Sequence, residues 1–200
     1  MRFLNITSVW VLAAFLMAGP AVFGVEETLK KAPGFTLKNY DGKEVKLADF
    51  KGKIIVLEWF NYECPFCRYH YEKASTIKDL VAGYKDKGVV WLAINSTGHQ
   101  TVEKNREFAE QFKVSYPILD DSAGAVGKEY DAKTTPHIFI INAKGEIVYN
   151  GALDNAPLGK TPNDEKLVNY VDKALSELTA GKAVSTPTTK PYGCTVKYGK

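Results

Sequence analysis

The feature that most constrains the fold is a change of pattern between residues 54 and 84. Residues 54–60 (IIVLEWF) form an apolar run of strand length, which suits a buried central strand. A helical pattern begins at Pro65, whose missing N–H costs nothing in a first helical turn, and it continues to about Tyr84. Two cysteines, Cys64 and Cys67, lie at this junction. The pattern therefore predicts an α/β domain with two cysteines at a strand-to-helix turn.

Further strands and helices are predicted on both sides of this unit. Asp41-Gly42 between alternating segments predicts a β-hairpin over residues 35–47. The other predicted strands are residues 88–95, 116–119, 137–142 and 146–150, and the other predicted helices are residues 101–112, 123–130 and 162–178. Thr101 is placed to cap the first of these helices. The order predicts an α/β domain with a mixed β-sheet flanked by helices, an N-terminal β-hairpin and a C-terminal tail.

The two ends of the chain differ in composition from its centre. Arg2 and the apolar stretch at residues 9–18 (VWVLAAFLMA), followed by small residues, predict a signal peptide over residues 1–24. Export to the periplasm or the extracellular space is expected, and an inner-membrane anchor left uncleaved is the alternative. Residues 30–180 are expected to form the domain, and residues 181–200 are expected to form a Thr- and Pro-rich linker and a cysteine-containing tail.

Charge and composition argue against some classes of partner. Hydrophobic residues make up 45% of the 200 residues and charged residues 24%, as in ordinary soluble domains. The formal net charge is only +3, and the sequence contains no long run of lysine and arginine. Nucleic acid is therefore not an expected partner. Contact with a membrane is expected only if the N-terminal segment stays uncleaved.

The cysteine pair admits three interpretations. At a helix N-terminus, free N–H groups and the helix dipole stabilise a Cys64 thiolate, and Cys67, one turn later, can attack a mixed disulfide held on Cys64. A metal site would need more ligands than Cys64, Cys67 and His70. An inert structural disulfide is the third interpretation. The redox pair is favoured, and neither a metal nor a dissociable cofactor is expected.

The arrangement resembles the thioredoxin-like superfamily. CPFC at the helix start, TTP at residues 134–136 and the order of elements are similar to the thioredoxin fold. Residues 32–60 (APGFTLKNYDGKEVKLADFKGKIIVLEWF) resemble the redoxin branch, which holds the AhpC/TSA peroxiredoxins and the exported TlpA/ResA-like thiol-disulfide oxidoreductases. The resemblance implies a thioredoxin-like fold over residues 30–180. It also implies disulfide exchange with a protein substrate and an upstream thiol electron donor.

The resemblance implies roles for individual residues. Cys64 would be the nucleophile and Cys67 the resolving thiol. Pro136 matches the cis-proline that faces the cysteine pair in thioredoxin-like proteins, so Thr135 and Pro136 would bind substrate backbone. Glu58 stands six residues before Cys64, where thioredoxins carry a buried aspartate that moves protons, and a carboxyl group in an apolar strand should have a raised pKa. The alternative is that Glu58 pairs with a lysine at the sheet edge.

The residues around the cysteines bear on substrate binding and on the direction of exchange. Phe66 and Tyr62 are candidates for an apolar platform that binds a protein substrate. Phe66 adds no charge beside Cys64, and Glu63 is acidic, so both favour a reductant over a strong oxidant. A protonated His137 near Cys64 would act the other way, although a histidine there more often packs at a strand start.

The third cysteine, Cys194, keeps other functions open. The tail sequence YGCTVKY resembles the ending of a subgroup of exported peroxiredoxin-like proteins, many of which have an apolar residue at the position of Cys67. A thiol peroxidase that uses Cys64, with Cys67 or Cys194 resolving, is the alternative enzyme, although the peroxiredoxin pattern P-x-x-x-T-x-x-C has Leu57 and Asn61 here. Cys194 is otherwise a free or packing cysteine on a tail that folds back, or an intermolecular one. A non-enzymatic binding module with a structural disulfide is the other alternative.

Overall fold

The computed structural model of this chain describes residues 29–199. The predicted signal peptide at residues 1–24 lies outside the described residues. Within residues 29–199, no helix has both the length and the apolar character needed to cross a membrane.

One mixed sheet of seven strands forms the centre of the molecule. In chain order its strands are β1 (Thr36–Asn39), β2 (Glu44–Lys46), β3 (Ile54–Trp59), β4 (Val89–Asn95), β5 (Ile118–Asp120), β7 (His137–Ile141) and β8 (Ile147–Gly151). Their spatial order is β2-β1-β5-β4-β3-β7-β8. Strand β3 is parallel to β4 and antiparallel to β7, and the β1–β2 and β7–β8 pairs are antiparallel. The predicted mixed sheet, the N-terminal hairpin and the hairpin between β7 and β8 are confirmed.

Within residues 29–199, five α-helices cover the two faces of the sheet. They are α1 (Pro65–Glu72), α2 (Thr76–Tyr84), α3 (Val102–Phe112), α4 (Ala125–Tyr130) and α5 (Tyr170–Thr179). Helices α1, α2, α3 and α5 contribute to one buried cluster and α4 to the other. The alternation along β3 divides its side chains between these clusters, because successive residues of a strand point to opposite faces. Val56 and Phe60 join the cluster that contains Cys64 and Cys67, and Trp59 joins the other.

The long helix predicted over residues 65–84 is two helices. Helix α1 ends at Glu72, and Ser75 adopts a left-handed conformation with a φ of 52° before α2 begins. A residue at this left-handed φ cannot continue a right-handed helix, so the chain turns at Ser75. Beside the turn, the Thr76 hydroxyl hydrogen-bonds to Nδ1 of His70 at 3.2 Å.

The last helix begins later than the sequence predicts, at Tyr170 and not at Pro162. The Asn155 side chain accepts a hydrogen bond from the Val168 N–H (2.8 Å) and donates one to the Lys166 carbonyl (3.0 Å). These bonds hold the preceding segment in a non-helical conformation. Asn169 then caps α5 by accepting a hydrogen bond from the Asp172 N–H (2.9 Å).

A second, two-stranded sheet pairs β6 (Thr134–Thr135) with β9 (Cys194–Thr195). The strands are antiparallel, with Thr134 opposite Thr195 and Thr135 opposite Cys194. This pairing brings the tail of the chain back onto the domain.

Candidate active site

The end of β3, the start of α1 and the segment before β7 meet at one edge of the central sheet. Trp59 of β3 lies opposite His137 of β7 in the antiparallel register, so the Thr135–Pro136 segment lies beside the turn that carries Cys64. The Thr135–Pro136 peptide bond is cis, as the resemblance implies. The fold therefore brings together residues that are more than 70 positions apart in sequence.

Cys64 is the N-cap residue of α1, and only 2% of it is exposed. As a thiol, Cys64 donates a hydrogen bond to the Thr135 carbonyl oxygen at 2.9 Å. Hydrogen bonds to its sulfur from the Cys67 thiol, the Thr135 and Cys194 side chains and the Cys67 N–H outweigh the effect of burial, and they lower the Cys64 pKa to about 4. The site therefore favours the thiolate form of Cys64.

Cys67 lies one turn along α1 and is fully buried. Burial raises its pKa well above the ordinary value, and its hydrogen bond to the Cys64 sulfur and the nearby charge of Glu58 raise it further. The three cysteines of the chain form no disulfide in the structure. The two members of the CPFC pair therefore differ sharply, with a thiolate at Cys64 and a protonated thiol at Cys67.

Glu58 is fully buried on the face of β3 that carries the cysteine pair. Burial raises its pKa to about 7, and hydrogen bonds from Trp91, Tyr71 and Tyr116 moderate the increase. The Trp91 Nε1–H donates at 2.9 Å and the Tyr71 hydroxyl at 3.0 Å. Among residues 29–199, the groups that hydrogen-bond to Glu58 are these neutral donors and not a lysine. Sequence reasoning missed these three donors. A carboxyl group in an apolar strand needs hydrogen-bond partners when it is buried, and the aromatic residues with polar tips were the signal that could have identified them.

Phe66 is half-buried and faces the tail. The centroid of its ring is 6.0 Å from that of Tyr192. His137 packs at the start of β7, where burial lowers its pKa to about 4 and keeps the ring neutral. Its Nδ1 accepts a hydrogen bond from the Lys133 N–H (3.1 Å), so its Nε2–H donates to Asn150 (2.7 Å). His137 is therefore not a source of positive charge at the cysteine pair.

The tail covers this site, so Cys194 lies on a tail that folds back, which is one of the interpretations that the sequence left open. Cys194 lies opposite Thr135, whose carbonyl oxygen is 2.9 Å from the Cys64 sulfur, and the Cys194 side chain is among the groups that lower the Cys64 pKa. Burial and the Cys64 charge raise the Cys194 pKa to about 11. Gly193 permits the close approach of the tail, because a Cβ atom built on it would lie 2.1 Å from the Thr135 carbonyl oxygen. The sequence gives no signal for this pairing, which joins residues 59 positions apart.

The metal interpretation of the cysteine pair is not supported by a set of ligands in the part of the chain that the structure describes. No group of three or more Cys, His, Asp and Glu side chains suited to a metal ion occurs within residues 29–199. Both ring nitrogens of His70 are hydrogen-bonded, Nδ1 to Thr76 and Nε2 to Tyr192.

Comparison with known proteins assigns this chain to a family. The model of the AhpC/TSA family matches residues 28–150. This chain belongs to the AhpC/TSA family. Within the same superfamily, the thiol-disulfide oxidoreductase ResA of Bacillus cereus is 30% identical over 129 residues, which cover 63% of this chain and 72% of the relative. The thioredoxin-like protein YneN of Bacillus subtilis is 33% identical over 125 residues, which cover 62% of this chain and 70% of the relative.

A solved structure extends the similarity beyond the family match. An uncharacterized conserved protein from Geobacillus kaustophilus superimposes with a TM-score of 0.76 at 30% identity, and the match covers 86% of this chain and 92% of that one. Together with the sheet order, these relatives confirm the predicted redoxin branch and the predicted thioredoxin-like fold. They also confirm the predicted enzyme class, thiol-disulfide oxidoreductase.

Within the AhpC/TSA family, the turn before Cys64 departs from the peroxidase pattern. Asn61 stands where that pattern has a hydroxyl, and its side chain is engaged elsewhere. The Asn61 amide oxygen accepts hydrogen bonds from the Glu63 N–H (2.7 Å) and from Gln100 (2.5 Å), and its amide N–H donates to Thr97 (3.2 Å). Asn61 thus shapes the turn that presents Cys64.

Proposed function

We propose that this protein is an exported thiol-disulfide oxidoreductase that reduces protein disulfides through Cys64 and Cys67. The observation that carries the exchange chemistry is the asymmetry of the pair, whereas the reducing direction rests separately on the neighbours of Cys64. Cys64, at a helix N-terminus, has a pKa lowered to about 4, whereas the buried Cys67 beside it has a raised pKa. One sulfur is thereby ready to attack, and the other is held protonated until it is needed.

The first step is attack by the Cys64 thiolate on a substrate disulfide. A bond forms between the Cys64 sulfur and one substrate sulfur, the substrate disulfide breaks, and the other substrate sulfur leaves as a thiolate. The attacking group needs no further activation, because hydrogen bonds from Cys67 already hold it as a thiolate. Thr135 and Pro136 are the proposed backbone-binding segment, and Phe66 is the proposed apolar contact for a protein substrate.

The second step releases the substrate as a dithiol. Cys67 loses its proton and attacks the Cys64 sulfur, so that the Cys64–Cys67 disulfide forms and the remaining substrate thiolate leaves. Glu58 is the proposed acceptor of the Cys67 proton, because its pKa of about 7 leaves it able to bind and to release a proton near neutral pH. An upstream dithiol donor then returns the pair to the reduced state.

The reducing direction rests on the neighbours of Cys64. Phe66 brings no positive charge to the thiolate, and the exposed Glu63 brings a negative one. The hydrogen bonds that lower the Cys64 pKa act the other way, because a stabilised thiolate favours the reduced enzyme. The balance is measurable as the reduction potential of the pair.

The experiment is a redox titration of the mature protein against glutathione and dithiothreitol, with thiols counted by alkylation and mass. A reversible Cys64–Cys67 disulfide with a potential at or below about −230 mV is the expected result for a reductase. A value near about −120 mV would make the protein a dithiol oxidase. A pair that never cycles would overturn the proposal and favour a structural role.

A single-thiol variant should trap the intermediate. In the double variant Cys67→Ser/Cys194→Ser, Cys64 is the only thiol, so a mixed disulfide with a protein such as insulin has no internal thiol to resolve it. We expect a stable covalent adduct in non-reducing gels and by mass. Cys194→Ser alone, which keeps Cys67, is the matched control and should accumulate at least about tenfold less adduct. Equal accumulation in both proteins would show that Cys67 does not resolve it.

Export is proposed from residues 1–24, which have the pattern of a signal peptide. Expression of the full chain in a bacterium and N-terminal sequencing of the periplasmic fraction test it. A mature N-terminus near Val25 is the expected result. An intact Met1 in the membrane fraction would indicate an uncleaved anchor.

A further inference from the structure

The backbone of Thr134 and Thr135 forms the strand edge beside the reactive sulfur. Because the Thr135 carbonyl oxygen lies 2.9 Å from the Cys64 sulfur, an extended segment paired with this edge places its residue opposite Thr135 next to that sulfur. The chain's own tail takes this position, with Cys194 opposite Thr135 and Thr195 opposite Thr134. The tail therefore lies where an extended substrate would have to pair.

Contacts on both sides of Cys194 fix the tail in this place. Before it, the Tyr192 hydroxyl donates a hydrogen bond to Asp154 (2.6 Å) and lies 2.9 Å from Nε2 of His70. After it, the Val196 N–H donates to the Lys133 carbonyl (3.1 Å), and the Val196 side chain is buried in the cluster that contains Trp59. Residues 192–196 are therefore packed as part of the domain surface.

The docked tail also closes the site. Cys64 is only 2% exposed, and the Tyr192 ring lies over Phe66, which is the proposed substrate contact. Cys194 itself is partly exposed. A disulfide from another protein can reach Cys64 only after the tail moves away.

We propose that the tail is an internal pseudosubstrate, and that Cys194 is a third redox thiol that exchanges with the Cys64–Cys67 disulfide. The inference rests on the proposed function, since it needs Cys64 to be the exchanging sulfur. External substrates are then extended segments with a cysteine, which must displace the tail from Thr134 and Thr135 before they react.

The exchange balances without an external oxidant. In the oxidised enzyme, Cys194 loses its proton to solvent and its thiolate attacks the Cys64 sulfur. A Cys64–Cys194 disulfide forms, the Cys64–Cys67 bond breaks, and Cys67 leaves as a thiolate that takes up one proton. The number of disulfides stays at one, so the two oxidised forms are isomers.

The first test uses the full-length Cys67→Ser variant with oxidised glutathione. Glutathione first attaches to Cys64, and Cys194 then displaces it to form the Cys64–Cys194 disulfide. With glutathione disulfide at about 1 mM, we expect this bridge to exceed the Cys64–glutathione adduct at least about tenfold in peptide maps, because the two thiols are held together in one chain. The Cys67→Ser/Cys194→Ser protein is the matched control and should keep the adduct. A persistent adduct in Cys67→Ser, with Cys194 free to alkylate, would overturn the inference.

The second test loosens the tail and leaves all three cysteines in place. Tyr192→Phe removes the hydrogen bonds to Asp154 and His70, so the tail should undock more often. We expect Cys64 alkylation by iodoacetamide to become about five- to thirtyfold faster, and the KM for insulin to fall. Tyr40→Phe, in the turn between β1 and β2, is the control. An unchanged alkylation rate in Tyr192→Phe would show that the tail does not guard Cys64.

The outcomes separate the two proposals. A Cys64–Cys67 pair that cycles in the redox titration, with no Cys64–Cys194 bridge and no effect of Tyr192→Phe, would leave the proposed function intact and remove the pseudosubstrate. A pair that does not cycle would remove the proposed function itself.

Discussion

Replacing Cys64 by serine is expected to abolish disulfide exchange. A hydroxyl at position 64 cannot form a stable covalent bond with a substrate sulfur, and the remaining pair member, Cys67, is buried with a raised pKa. We expect insulin reduction with dithiothreitol as the electron source to fall at least roughly a thousandfold, to the uncatalysed rate. The fold should persist, because a serine hydroxyl can still donate to the Thr135 carbonyl.

The Cys67→Ser/Cys194→Ser protein is the matched comparison for this loss. It lacks turnover as well, but it keeps Cys64 and should form one covalent adduct per chain, whereas Cys64→Ser should form none with the same probe. Insulin reduction within tenfold of the parent protein in Cys64→Ser would instead support a binding module with a structural cysteine pair. Peroxide-dependent turnover that Cys64→Ser abolishes would support the peroxidase alternative.

Glu58→Gln is expected to change how the stability of the protein depends on pH. The Glu58 pKa is about 7 in the folded protein, against an ordinary value of 4.5. A carboxyl group with a raised folded pKa contributes stability below its unfolded pKa and loses that contribution as pH rises through its folded pKa. Between about pH 4.5 and pH 7, Glu58 ionises in the unfolded chain but stays protonated in the folded protein, so the free energy of unfolding should fall by about 3 kcal/mol.

Glutamine keeps an acceptor for Trp91 and Tyr71 but carries no charge. We expect Glu58→Gln to gain about 3 kcal/mol on the parent protein between pH 4.5 and pH 8, measured as the difference in urea unfolding free energies of the reduced proteins. Glu110→Gln, at an exposed position of α3, should follow the parent curve. Parallel curves for Glu58→Gln and the parent would mean that Glu58 is not a buried acid with a raised pKa.

The same variant should slow release of the mixed disulfide. Glutamine cannot accept the Cys67 proton, so resolution near pH 7 is expected to be slower by about a hundredfold. The first attack by Cys64 should stay fast. Stopped-flow measurement of the two phases separates these steps, and equal slowing of both would assign Glu58 a purely structural role.

Local signals were enough to predict much of the fold. The apolar run of β3, the Asp41-Gly42 turn and the Thr101 cap each act over a few residues, and all three are confirmed; the Thr101 hydroxyl accepts from the Lys104 N–H at 3.2 Å. Pro65 favours a first helical turn, which also acts over a few residues, and this was enough to predict that Cys64 lies at the start of a helix. Such features depend on backbone geometry within one turn or one strand, so the sequence alone expresses them.

Features that depend on distant contacts could not be predicted in the same way. The left-handed turn at Ser75 interrupts a segment whose apolar spacing stays helical, and the late start of α5 follows from hydrogen bonds to Asn155 that hold residues 166–168 outside a helix. The β6–β9 pairing joins segments that are brief and polar, and it has no periodic pattern to indicate it. The sequence showed that Cys194 lacked an obvious partner, but only the folded chain shows that it pairs opposite Thr135, beside Cys64.

Gly193 sets the clearance on which the third thiol depends. A methyl group there would come within 2.1 Å of the Thr135 carbonyl oxygen, where ordinary contact starts at 3.4 Å, and the φ of +129° at this residue is one that other residues rarely adopt. Any side chain at this position would act as a wedge between the tail and the domain. The tail can therefore dock over Cys64 only because Gly193 has no Cβ atom. A larger residue at position 193 should keep the tail undocked and leave Cys64 accessible to disulfides of other proteins.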